Sequence, residues 1–226
     1  MSPDRCLAAG VRGTRGYAEQ ADELVARYEA IDFATRHASI LPLMPDAPAS
    51  VLDIGAGSGA DAAWLAARAY RVVAVEPTEA MRSRAMALHP SAAIEWIDDS
   101  LPALRHVAAQ RRSFDMVMLT AVWMHLDAGE RRRAMPIVAS LIAAGSLLTM
   151  TLRHGPVPAG RLMFAVSAEE TIALADMCDL RPLLNVHVES RQPENRAAGV
   201  SWSHLAFRRN VSTPASPAAV PSKARP

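Results

Sequence analysis

Short apolar runs alternate along this chain with longer stretches in which apolar residues return every three or four positions. Residues 17–41 set Leu24, Tyr28, Ile31 and Phe33 among acids and arginines, a spacing that predicts one or two amphipathic helices. Pro42, Pro45 and Pro48 stop them. Apolar runs at 51–54, 72–75, 94–97, 116–120 and 147–152 predict strands, and helical spacing predicts helices at 61–69, 78–88 and 130–143. Strands alternating with helices in this way predict a parallel sheet covered on both faces, a doubly wound α/β fold. After a helix at 167–178 the rhythm changes. Runs at 183–188 and 202–207 are joined by a polar loop with no helical pattern, which predicts an antiparallel pair at the sheet edge.

The segment beyond Asn210 is rich in Pro, Ala and Ser and has too few apolar residues to order itself. Residues 211–226 are therefore expected as a disordered tail and residues 1–16 as a flexible N-terminus, leaving one domain at 17–210. A chain of 226 residues that is half hydrophobic can bury a core of that size. No run nears the roughly 20 apolar residues of a membrane span, and the start of the chain, with Asp4 and Arg5, lacks a signal peptide's apolar core. A cytoplasmic protein with no membrane partner is expected, with Cys6 and Cys178 as free thiols. Net charge is +1 and Lys223 is the one lysine, so nothing implies a nucleic-acid partner. Arg131, Arg132 and Arg133 follow the acids Asp127 and Glu130, as on the solvent-facing first turn of a helix.

The most informative stretch is Val51-Leu-Asp-Ile-Gly55-Ala-Gly57-Ser-Gly59, a buried strand that runs into a glycine-rich turn and then a helix. Without Cβ atoms the turn lets backbone pass close to a ligand, and the helix N-terminus offers unpaired N–H groups. Gly55, Gly57 and Ala60 also satisfy the dinucleotide pattern, with the acid Glu76 about twenty positions on. Asp53 argues against a dinucleotide: a carboxylate two residues before the first glycine is awkward beside a pyrophosphate and well placed for a cationic ligand such as S-adenosylmethionine. Glu76, closing the second strand, can accept from two ribose hydroxyls. Asp98 or Asp99, after the third strand, can accept the adenine amine, while the Ser100 N–H reaches a ring nitrogen.

In the order of these features the chain resembles the class I S-adenosylmethionine-dependent methyltransferases from about Tyr17 to Arg208: Asp53 to Gly59, Glu76, the pair Asp98-Asp99, Phe114-Asp-Met-Val-Met118 opening the fourth strand, and a final two-strand hairpin. The resemblance implies a Rossmann-like, mostly parallel sheet of seven strands with a C-terminal antiparallel hairpin, and a helical lid at 17–41. It implies S-adenosylmethionine held by Asp53, Gly55, Ala56, Gly57, Gly59, Glu76, Pro77, Met81, Asp98, Asp99, Ser100 and Thr120. In this family the loop after the fourth strand faces the transferred methyl, which makes His125 a candidate general base and Trp123 an acceptor contact. Arg153 and His154, after the fifth strand, form a second candidate acceptor contact and base, and Tyr17 and Tyr28 would reach the acceptor from the lid.

What the chain lacks narrows the acceptor. The fourth strand does not end in the Asn/Asp-Pro-Pro-aromatic signature of nucleic-acid amine methylation, no cysteine lies near it, and Asp127 alone makes no carboxylate cluster for a metal. A small-molecule acceptor methylated on O, N or S is what remains, with no metal. Two other readings stand beside it. A nicotinamide-dependent oxidoreductase is disfavoured by Asp53 and by the absence of a Tyr-x-x-x-Lys pair. The other is an S-adenosylmethionine-binding protein without catalysis.

Overall fold

The computed structural model describes residues 11–211. The expectations for the rest of the two termini, including Cys6 and the tail, lie outside them. A 3₁₀ turn at Arg12–Thr14 leads to α1 (Ala21–Glu29) and α2 (Phe33–Arg36). Then come β1 (Ser50–Ile54), α3 (Ala60–Ala66), β2 (Arg71–Val75), α4 (Glu79–Leu88), β3 (Ile94–Ile97), α5 (Arg105–Ala109), β4 (Phe114–Thr120), α6 (Ala128–Ser140), β5 (Ile142–His154), α7 (Ala168–Asp176), β6 (Leu180–Glu189), α8 (Pro193–Ala197) and β7 (Ser201–Arg209). The seven strands form one sheet in the order β3-β2-β1-β4-β5-β7-β6, with β7 antiparallel to both its neighbours and every other pairing parallel.

Period-two alternation splits the core in two. Leu52, Ile54, Val73, Val75, Val117, Leu119, Leu148 and Met150 face one layer. Val51, Val72, Ala74, Met116, Met118 and Leu147 face the other, which Phe33 of α2 and Leu65 of α3 close. The strand order reverses between β1 and β4, and a crevice opens there at the carboxyl ends of the parallel strands.

Four local expectations change. Residues 11–16 are not a loose end, since the turn at Arg12–Thr14 packs on the turn Trp123–His125. The helix expected to reach 143 ends at Ser140, and β5 starts at once, its apolar run Leu141-Ile142-Ala143 being compatible with either period. The loop between the final strands holds the short helix α8, and α5 precedes β4. Arg131 does not face solvent. Asp127 and Glu130 form a reciprocal capping box at the start of α6, and Arg131 is buried, bonding Glu170 of α7 at 2.9 Å, Leu126 O at 2.6 Å and Ala165 O at 3.2 Å. It clamps two helices together. Among the described residues Cys178 is a free thiol, and no helix is long and apolar enough to cross a membrane.

Candidate functional site

β1 ends in a turn whose glycines carry φ values of +75°, +58° and +82° at Gly55, Gly57 and Gly59, conformations that L side chains rarely adopt. Each glycine also faces a neighbour. A Cβ on Gly55 would lie 2.5 Å from Val122 Cγ2, which brings the loop after β4 against the turn. The Tyr28 ring lies over Gly57, 3.8 Å from where a Cβ would be. Gly59 packs on Trp96 and does not border the cavity.

Beside the turn sit carboxylates in unequal circumstances. Asp53 is 2% exposed, and its Oδ2 has no hydrogen-bond partner. Burial first, then the nearby Asp61 and Glu76, pushes its carboxyl well above the ordinary range. Asp61, in the first turn of α3, is held low despite its burial, because His37 Nε2 lies 2.7 Å away, Arg36 Nη1 donates at 2.8 Å and Thr120 Oγ1 at 3.4 Å. Arg36 also donates to Tyr28 O at 2.9 Å, which ties the N-terminal helices to α3. Glu76 accepts from Gly57 N at 3.0 Å and from Thr78 N at 2.8 Å, and burial still raises its carboxyl.

These groups line a cavity of about 500 Å³. Tyr17, His125, Thr151, Arg153, Arg161, Trp202 and His204 line it too. Tyr17 Oη is 3.0 Å from His125 Nε2, and Leu162 O is 2.9 Å from His125 Nδ1. A carbonyl only accepts, so Nδ1 carries the proton and the Nε2 lone pair faces the tyrosine. Burial, together with Arg161 and Arg153, lowers the His125 pKa, and burial raises that of Tyr17. The imidazole is neutral at pH 7 and borders the cavity.

Of the residues marked in the sequence, Asp53, Gly55, Ala56, Gly57, Glu76, Pro77, Asp99, Ser100, Thr120, Tyr17, Tyr28, His125 and Arg153 border this cavity. Five lie elsewhere, for physical reasons. Gly59 is turned to Trp96, as above. Met81 is fully buried among Ala21, Leu24 and Val25, where α1 crosses α4. Trp123 is fully buried in the core beneath its loop. Asp98 is 66% exposed and paired with Arg82 at 3.0 Å. His154 follows Arg153 on a strand, so alternation turns it to the opposite face, where its Nε2 meets Ser203 Oγ at 2.8 Å and its ring packs on His187. Asp99 borders the cavity and caps α5 through His106 N and Val107 N; its other oxygen accepts from Ser100 N at 2.8 Å, so the Ser100 N–H reaches an adenine only by exchanging that bond. No local pattern in the sequence signals Arg161 or His204. Asp61 resembles any acid in a first helical turn.

Asp53 and the Gly57 cradle suit a cationic ligand with hydroxyls for Glu76, and a buried carboxylate so close to the turn would repel a pyrophosphate. Residues 51–145, from β1 to the start of β5, match the family model described as a methyltransferase domain. No curated protein matches the chain. Among solved structures it is similar to the 1,6-didemethyltoxoflavin-N1-methyltransferase of Burkholderia thailandensis, solved with 1,6-didemethyltoxoflavin and S-adenosylhomocysteine, at 21% identity and TM-score 0.61 over 85% of this chain and 81% of that one. It is similar to N-methyltransferase NodS of Bradyrhizobium japonicum WM9, solved with S-adenosylhomocysteine, at 17% identity and TM-score 0.65 over 85% and 97%. The cyclase SpnF is similar too, at 15% identity and TM-score 0.61 over 86% and 81%, and at such identities the likeness is one of fold. Residues 51–145 thus match a methyltransferase domain through the first four strands, and the chain shares the fold of methyltransferases solved with S-adenosylhomocysteine.

Proposed function

We propose that the chain transfers a methyl group to an O, N or S atom of a small-molecule acceptor in the cytoplasm. The observation that carries this reading is the single cavity of about 500 Å³ that joins the glycine turn to the Tyr17–His125 pair. Its volume and its cover by the N-terminal helices suit a small ligand rather than a polymer. The 1,6-didemethyltoxoflavin bound to the Burkholderia methyltransferase supports the same class of acceptor.

When bound, the cofactor supplies an electrophilic methyl on a sulfonium. In this reading Glu76 accepts from the ribose hydroxyls at one end, and Asp99 with Ser100 N–H meets the adenine edge. Ala56 and Pro77 line the pocket walls between them. Asp53, freed of its proton, balances the positive charge. Tyr28 over Gly57 and Tyr17 beside His125 keep water from the reacting line. His125 Nε2, exchanging its hydrogen bond from Tyr17 Oη for one from the acceptor, takes the acceptor's proton, and much of the remaining rate comes from alignment, worth roughly 7–11 kcal/mol. Sharing its fold with a cyclase, the domain has a second reading in which the cofactor is bound and no methyl is moved.

Calorimetry with S-adenosylhomocysteine on the protein and on Glu76→Ala tests the first half; the substitution should weaken binding about tenfold or more through lost charged hydrogen bonds. Transfer of labelled methyl into cell extract separated by size tests the second. Label in the low-mass fraction supports the proposal. Label confined to protein or nucleic acid sinks the acceptor class, and binding without any transfer selects the second reading.

A further inference from the structure

Acids and arginines both border the cavity. Asp53, Asp61, Glu76 and Asp99 gather around the glycine turn, while Arg153 and Arg161 stand around the Tyr17–His125 pair. The arginines bordering the cavity differ in how far they are committed. Arg36 spends its donors on Asp61, Tyr28 O and Ile31 O. Arg161 lies 4.3 Å over the Tyr17 ring and donates once, from Nη2 to Gln20 at 2.7 Å, while its buried Nη1 has no partner. Arg153 donates once, to Pro156 O at 2.7 Å. Neither has an acidic partner among the described residues. Glu189, Arg191 and Arg27 also border the cavity, all exposed, with Arg27 over the Tyr28 ring.

A guanidinium has five donors in a planar fork that matches an oxyanion, and a half-buried one with most donors idle is poorly compensated. From the two uncommitted guanidinium groups flanking Tyr17 and His125, we propose that the acceptor carries an oxyanion, a carboxylate or a phosphate ester, received by Arg153 and Arg161 while its nucleophilic atom meets His125. This rests on the methyl-transfer reading above and names its substrate class. Arg161 comes from the loop after β5, and Arg153 from the end of β5 on the same face as Thr151, so an anion between them sits beside the base. The arrangement also couples binding to chemistry. Both cations lower the proton affinity of His125, and an arriving anion offsets their field, making the imidazole a stronger base when the acceptor is present.

The test uses protein saturated with S-adenosylhomocysteine and three probes at constant ionic strength: benzoate, phenyl phosphate and benzamide. Binding is read by ligand-observed NMR and by melting temperature, for the native protein, Arg153→Gln, Arg161→Gln and the charge-keeping Arg161→Lys. The expected result is that at least one anion binds and benzamide does not. Each Gln variant should lose about tenfold or more of that affinity, Arg161→Lys should lose less, and S-adenosylhomocysteine affinity should stay within about twofold. Preference of benzoate over phenyl phosphate, or the reverse, tells carboxylate from phosphate. The proposal is overturned if benzamide binds as well as the anions, if neither anion binds, or if anion affinity survives in both Gln variants. A tenfold loss of S-adenosylhomocysteine in those variants also overturns it, because the arginines would then serve the cofactor's own carboxylate. Native protein that fails to bind S-adenosylhomocysteine overturns the methyl-transfer reading as well, and this is read before any probe is added.

Discussion

Asp53 is costly to the empty protein. Its carboxyl sits above the ordinary value of 3.8, so the folded state holds that proton more tightly than an unfolded chain would. The folded protein therefore loses stability as pH rises above 3.8 and Asp53 is forced to ionise without a partner. Asp53→Asn is expected to raise the melting temperature of the ligand-free protein near neutrality and to weaken S-adenosylhomocysteine binding, a trade of stability against function. A variant that melts lower and binds as tightly as before would remove Asp53 from the cofactor's charge balance. His125 runs the other way. Its pKa falls below 6.5, so it is neutral at pH 7, and the stability it permits is lost as acid forces a proton onto the buried ring. If it is the base, the acid limb of kcat/KM should lie below pH 6.5, and His125→Ala should lower turnover by about 10²–10⁴-fold with little change in cofactor affinity. A limb above 6.5, or near-native turnover in the variant, would assign proton removal elsewhere.

The strand-turn-helix unit from β1 to α3 has almost no tolerance at its first glycine. Gly55→Ala combines a left-handed backbone with a methyl driven into Val122, and the left-handed conformation alone costs roughly 1–2 kcal/mol. Loss of cofactor affinity by about tenfold or more is expected in calorimetry, with a lower melting temperature, because the turn and the loop after β4 must part. Unchanged binding would mean that the contact with Val122 is dispensable. This unit was also the most legible part of the sequence, since a buried strand, closely spaced glycines and an acid in register leave few alternatives. Legibility fell where one residue decides a face or a boundary. Arg153 and His154 look alike as candidates in sequence, and only strand alternation assigns one to the cavity and the other to Ser203. Arg131 reads as a surface charge until α7 brings Glu170 to it. Met81 and Trp123 sit where sequence order favours ligand contacts and instead pack in the core, because apolar side chains near a site serve both ends. Asp61, His37 and Arg36 form a contact across 24 and 25 residues that no local pattern announces.

The sheet is assembled out of chain order. β6 pairs with β7 alone, and β5 has β7 along its outer side, so β7, the last strand made, joins the two. It also brings Trp202 and His204 to the cavity and buries Leu205, Ala206 and Phe207. A chain ending at Val200 is thus expected to lose the cooperative melt and S-adenosylhomocysteine binding together, as followed by circular dichroism and calorimetry. A truncated form with a native melt would show that the β1–β5 half stands alone. The same topology governs birth of the protein on the ribosome. While β1 to β6 emerge, β5 and β6 wait with unsatisfied backbone edges, the exposure that draws nascent chains into aggregates or onto chaperones. Slow translation, helpful where a domain folds from its N-terminus onward, would here lengthen the vulnerable interval, so synthesis through residues 180–209 should favour speed.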